Sequence, residues 1–124
     1  MIFCLVACNT VDKEGLWENA TYRRDVEFGK GAKTVYLVVK VGEDSVTFTV
    51  NTDKDMLGDA LLEHSLIAGE EGPYGLYVKQ VNGITADYDV DGHYWSLEQD
   101  GTPLMTGVDS TPITNGAKYS FVYT

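Results

Sequence analysis

The stretch Thr34-Val35-Tyr36-Leu37-Val38-Val39-Lys40-Val41 narrows the choice of fold more than any other. Apolar residues occupy both faces of an extended segment, as in a strand covered on two sides. Gly42-Glu43-Asp44 then supplies turn chemistry. Ser45-Val46-Thr47-Phe48-Thr49-Val50 alternates with period two, the mark of a half-buried strand. Two such strands across a short turn predict a hairpin near the start of the folded part.

A helix is expected next, over about 54–67. Thr52 with Asp55 resembles a capping box, and Asp53 is a second candidate cap. Leu57, Ala60, Leu61 and His64 share one helical stripe, and Gly69 is a natural stop. His64 is read as a partly buried spacer, because no second His or Cys lies at matching spacing. Pro73 and Gly75 then signal a loop, Leu76 to Val81 a strand and Asn82-Gly83 a turn. Residues 93–99 alternate again, Asp100-Gly101 and Asn115-Gly116 are turn signals, a stretch around Leu104 to Val108 lies between them, and Tyr119 to Tyr123 reads as the last strand. A hairpin, one helix and three or more further strands in a mostly antiparallel or mixed sheet predict an α+β domain, and the β-grasp arrangement fits this order.

The chain has 124 residues, enough for one domain, and a net charge of -10. That charge excludes nucleic acid as a partner, since no basic patch can displace phosphate counterions. It suits cations, neutral ligands or solubility alone. Leu5-Val6-Ala7-Cys8 has the form of a bacterial lipobox. Residues 1–8 are expected to be the remnant of a lipoprotein signal peptide entered at an internal Met, the alternative being a buried N-terminal strand. Cys8 is then the lipidated first residue, residues 9–30 a tether in which Trp17, Tyr22 and Phe28 pack locally, and residues 31–124 the domain. Cys4 and Cys8 are the only cysteines, which excludes a disulfide framework, a thiolate zinc site or a cysteine nucleophile in the domain. No segment reaches the roughly 18 apolar residues of a spanning helix. The expected location is extracellular, at the cell surface, anchored to a membrane by lipid alone.

Asp87-Tyr88-Asp89-Val90-Asp91-Gly92-His93-Tyr94-Trp95-Ser96-Leu97-Glu98 satisfies the calcium-loop pattern D-x-[DN]-x-[DN]-G-x5-E. Neither flank reads as helix. If residues 93–98 are extended, Glu98 lies roughly 23 Å beyond Asp91, whereas two ligands of one calcium lie within about 5 Å. Glu98 therefore cannot complete a site. Asp87, Asp89 and Asp91 remain either as weak ligands for calcium or as a solvated acidic turn. Only His64 and His93 are available as histidine bases, and neither has a nucleophile or carboxylate at telling spacing. A non-enzymatic role is expected.

The order of "GPYGLYVKQVNG", "YWSLEQDGTPLMTGVDSTPITNG" and "YSFVYT", with "DMLGDALLEHSLI" before them, resembles the C-terminal β-domain of transcobalamin and intrinsic factor, over about residues 34–124. It is most similar to that domain as carried alone by exported bacterial lipoproteins. The resemblance implies a β-grasp-like domain that contacts one face of a cobalamin. Carried over by motif, the implied contacts are Tyr74 and Tyr77 after Gly72-Pro73, and Tyr94 with Trp95. The long helical barrel of the vertebrate proteins is missing, so one domain supplies only part of a pocket. The resemblance thus implies a small-molecule ligand, with a corrinoid as first choice, and a transporter or second ligand-binding subunit as partner. The alternative is a calcium-dependent surface or adhesion module using the aspartate loop. Trp95 and Leu97 share a strand face that suits the core better than a ligand surface, while Tyr94 points the other way.

Overall fold

A computed structural model describes residues 15–73 and 75–124. Cys8 and Tyr74 lie outside the described residues. The predicted hairpin is β2 (Lys33–Val41) and β3 (Asp44–Thr52), paired antiparallel from Lys33↔Thr52 to Val41↔Asp44. Val35, Leu37, Val39 and Val41 of β2 are buried, facing Val50, Phe48 and Val46 of β3. Thr34, Tyr36 and Val38 on the other face are only half-buried, so β2 is covered fully on one side.

The last strand, β9 (Lys118–Tyr123), lies beside β2 and parallel to it. Then come β7 (Trp95–Gln99), antiparallel to β9, and the short β8 (Thr102–Pro103). With β1 (Val26–Phe28) on the far edge, the order is β1-β3-β2-β9-β7-β8. A leading hairpin, a helix after it and a final strand entering the centre parallel to the first is the predicted β-grasp-like order. The helix α1 (Leu57–Glu63) and a second antiparallel sheet, β4 (Ile67–Gly72), β5 (Gly75–Val81) and β6 (Ile84–Thr85), complete the core. No helix among the described residues is long and apolar enough to cross a membrane.

The helix is shorter than expected at both ends. Thr52 stays in β3, and its hydroxyl accepts from the Lys54 N–H at 3.0 Å. Asp53 accepts from the Ala32 N–H, and Asp55 pairs with Lys33 at 3.2 Å. Asp53 and Asp55 are thus spent on the chain entering β2 and Thr52 on the Lys54 N–H, and the N-cap is Met56, without a side-chain bond. At the other end Ser65 turns left-handed (φ 57°). Ser65 N–H then bonds the Leu62 carbonyl and Leu66 N–H the Leu61 carbonyl, at 3.0 Å each. That double bond closes the helix two residues past its last turn. Gly69 does not stop the helix. It lies at a register shift in β4, where a Cβ would run into the Tyr77 carbonyl.

The tether reading is corrected from residue 15 onward. β1 runs parallel to β3, Val26↔Phe48 to Phe28↔Val50. Tyr22, Phe28 and Phe48 meet edge to face, with centroids 5.3–5.7 Å apart. Burying these rings outweighs the polarity of the residues between them. Asn82 fastens the segment. It is 1% exposed, its Oδ1 accepts from the Tyr22 N–H at 2.9 Å, and its Nδ2 donates to the Tyr22 carbonyl at 2.8 Å. Asn82 (φ 52°) and Gly83 (φ 82°) also form the predicted β5–β6 turn. At Gly83 a Cβ would press on the Asn19 carbonyl and the Thr21 hydroxyl.

Asn82→Ala leaves both polar groups of Tyr22 unpaired and places alanine in a left-handed conformation. An unfolding free energy lower by about 2–4 kcal/mol is expected in urea titration. A change below about 0.5 kcal/mol would show that residues 15–28 do not contribute to the fold.

Candidate functional site

β5 and β7 belong to different sheets, and a groove of about 370 Å³ runs between them. Leu76 and Tyr77 line it from β5, Tyr94, Trp95 and Ser96 from the β7 region, and Leu104 and Thr106 from the chain after β8. A second hollow of about 410 Å³ shares Leu76, Tyr77 and Gly107 and adds Glu70, Glu71 and Pro73. Tyr77 therefore stands between two depressions.

Three of the four aromatic residues singled out from sequence line this one groove. Tyr77 is 43% exposed and Tyr94 41%. Tyr94 also meets the exposed Tyr88 edge to face at 6.4 Å. Trp95 differs from the expectation of a contact residue. It is 6% exposed, its Nε1–H donates to the Ile84 carbonyl at 3.1 Å, and its ring packs edge-on against Tyr123 at 5.5 Å. Alternation along β7 forces this: once Tyr94 faces outward, Trp95 must face the core.

The aspartates adopt a local arrangement of their own. Asp87 is the N-cap of a one-turn helix, α2 (Tyr88–Asp91), and its Oδ1 accepts from the Asp89 N–H at 3.2 Å. Asp87 Oδ2 lies 3.4 Å from Lys79 Nζ. Asp91 accepts from the His93 N–H at 2.9 Å, and Gly92 (φ 77°) ends the turn. Glu98 is carried away in β7, opposite Ser120 and Pro103, as the extended reading requires. Among the described residues, no three His, Cys, Asp or Glu side chains gather as a metal-ligand set. His93 stacks on Tyr123 at 4.8 Å, and His64 lies against Phe28 at 5.3 Å, so both histidines act as packing residues here.

Two supporting residues escaped the sequence reading. Lys79 is held by Glu70 (3.3 Å) and Asp87 (3.4 Å), and its ammonium sits 5.6 Å from the centre of the Tyr77 ring. It connects β4, β5 and the start of α2 behind Tyr77. The hydrogen bond to Glu70 raises its pKa above the ordinary 10.5, with desolvation opposing and Asp87 adding to the rise. Its signal was positional, since residues 77 and 79 share one face of a strand. The second is Asp109, whose Oδ2 accepts from the Leu76 N–H at 2.9 Å and fixes the start of β5. No local pattern announces a bond across 33 residues.

A raised lysine pKa stabilises the fold fully below the unfolded value, and the benefit fades as pH rises through the folded one. Lys79→Gln is expected to be less stable than the parent at about pH 8, with the gap closing above about pH 10.5 as the parent ammonium loses its proton. Urea titrations of both proteins across that range check it, and a gap independent of pH would contradict the ion-pair account.

Among curated proteins, none matches the chain. A Ruminococcus gnavus protein whose assigned name suggests metal binding, solved by crystallography at 1.30 Å, superposes with a TM-score of 0.71 and 30% identity, over 75% of this chain and 97% of that one. Haptocorrin in complex with Cbi superposes with a TM-score of 0.64 and 21% identity, over 78% of this chain. This chain spans 26% of the haptocorrin chain, and the likeness is one of fold. Residues 55–124 match a domain family described as "Domain of unknown function (DUF4430)". The chain belongs to the DUF4430 family.

Proposed function

We propose that this chain is a non-catalytic ligand-binding module, exported and held at the cell surface by a lipid on Cys8, that takes a small molecule across the Tyr77–Tyr94 groove, with a corrinoid such as cobalamin as the ligand. The observation that carries this reading is the meeting of two half-exposed tyrosines, from separate sheets, on one groove. It is supported by the fold shared with haptocorrin, whose structure holds Cbi. Flat aromatic faces offer a macrocycle large contact area with little rotamer entropy to lose. A groove of about 370 Å³ falls near the low end for small-molecule sites, so it covers one part of such a ligand. A transporter or a second ligand-binding subunit then completes the enclosure. The lipid anchor rests on Leu5-Val6-Ala7-Cys8.

Titration with cobalamin and cobinamide, read by tryptophan fluorescence and by the corrinoid visible bands, is expected to saturate. Tyr94→Ala and Tyr77→Ala should each weaken binding about tenfold while leaving the melting temperature nearly unchanged. No saturable change up to millimolar corrinoid would rule this ligand out.

The name of the Ruminococcus gnavus structure favours a second reading, a cation held at Asp89 and Asp91 with nearby carbonyls. Lys79 already occupies one oxygen of Asp87, so any such site is weak, about 10⁻⁴ to 10⁻³ M. Millimolar calcium should then raise the melting temperature, and Asp89→Asn with Asp91→Asn should remove the shift. An unchanged melting temperature rejects this reading.

A further inference from the structure

A separate hollow of about 300 Å³ lies toward the β1 edge of the large sheet, lined by Trp17, Arg23, Asp44, Ser45 and Val46. β2 and β9 stand between β3 and β7, and this hollow shares no residue with the Tyr77–Tyr94 groove. Both of its walls are fixed by bonds to the rest of the fold. Trp17 begins a short 3-10 helix, Trp17–Asn19, closed by the Ala20 N–H on the Trp17 carbonyl at 3.1 Å. The Thr21 N–H then bonds the Asn82 carbonyl at 2.9 Å, and the Asn82 side chain holds Tyr22. Beyond Arg23, Asp25 accepts from the Thr47 N–H at 2.8 Å. Arg23 thus stands between two anchored neighbours, and its Nη2 donates to the Glu18 carbonyl at 2.9 Å. The other wall is the start of β3, paired with β2 through Val41↔Asp44 and Lys40↔Ser45.

The polar groups on this hollow are mostly unspent. Arg23 commits one of the five N–H donors of a guanidinium. Among the described residues, the Asp44 carboxylate and the Ser45 hydroxyl make no hydrogen bond or ion pair, and Arg23 and Asp44 do not pair with each other. Trp17 is half-buried, and its Nε1–H is buried without a hydrogen-bond partner, so packing alone holds its ring. Val46 adds a buried apolar surface.

A guanidinium offers a planar donor fork that fits a carboxylate. A free carboxylate accepts from an ammonium. A plain anion would meet Asp44 and a net charge of -10, and a plain cation would meet Arg23. A molecule that carries both charges and a short apolar group matches every wall. The volume lies at the low end for small-molecule sites, which suits a ligand of that size. We propose that this hollow binds a free α-amino acid with an apolar side chain, its carboxylate on Arg23, its ammonium on Asp44 and its side chain against Trp17 and Val46. This goes beyond the corrinoid reading and does not rest on it.

Trp17 and Trp95 are the only tryptophans, so the full chain gives two indole N–H signals in nitrogen-15 NMR, one for each hollow. Titration with L-phenylalanine is expected to shift the Trp17 signal saturably at millimolar concentration and to leave the Trp95 signal in place. N-acetylphenylalanine lacks the ammonium and phenylalanine amide lacks the carboxylate, and each is expected to bind at least about tenfold more weakly. Arg23→Gln and Asp44→Asn should weaken L-phenylalanine by a similar factor, with an unmoved Trp95 signal showing that the fold is intact. An unmoved Trp17 signal up to about 10 mM L-phenylalanine would overturn the proposal. So would equal binding of either blocked derivative, which shows capture by the ring alone, or an equal Trp17 shift with glucose, which shows recognition of hydroxyl groups. A response of the Trp95 signal alone puts the amino acid in the other groove and overturns it as well. The Trp17 readout does not depend on whether a corrinoid binds, so the two ideas fail separately.

Discussion

The register of β2 against β3 is the constraint on which the rest of this protein depends. Nine consecutive pairs, with Leu37 opposite Phe48 at the middle, place Val35, Leu37, Val39 and Val41 with Val46, Phe48 and Val50 on one buried face. A slip by one residue would turn Val35, Leu37 and Val39 to the solvent side and bring Tyr36 and Lys40 inward. β9 takes its position from β2, β7 from β9, and the outward face of Tyr94 from β7. The groove wall near one sheet edge is thus set by a hairpin on the other side of the last strand.

The groove owes its second wall to bonds that cross between elements. Asp109 fixes the start of β5, Lys79 joins β4 and α2 behind Tyr77, and the Trp95 indole reaches the Ile84 carbonyl next to the turn. Each bond is modest alone, but together they tie the three-stranded sheet to the six-stranded one.

Local patterns and tertiary context disagree at two places, for one reason. The calcium pattern is complete in letters, yet Glu98 is drawn into a ladder with Ser120, because a strand next to a buried β9 gains more from pairing than from curling back to an ion. The apparent capping box is complete in spacing, yet Thr52 remains in β3, where it is almost wholly buried, and Asp55 turns to Lys33. In both cases a partner far away in sequence takes the residue: Ser120 in the ladder opposite Glu98, and Lys33 beside Asp55. The N-terminal segment shows the reverse: the sequence expects Tyr22 and Phe28 to pack locally in a tether, but polar neighbours conceal the strand that their burial against Phe48 adds.

Read alone, the chain determined the hairpin, the existence of one amphipathic helix, the Asn82-Gly83 and Asp100-Gly101 turns, the extended run after Gly92, and the outward and inward faces of Tyr94 and Trp95. These follow from period-two alternation, helical stripes and glycine or asparagine at left-handed turns, all of them short-range. Only the tertiary structure decided that β9 enters beside β2, that Tyr77 and Tyr94 share a groove, and that Lys79 and Asp109 support it. Those depend on contacts between residues tens of positions apart, where a partner is chosen by what the folded neighbours leave unburied and unpaired, and no local spacing records that choice.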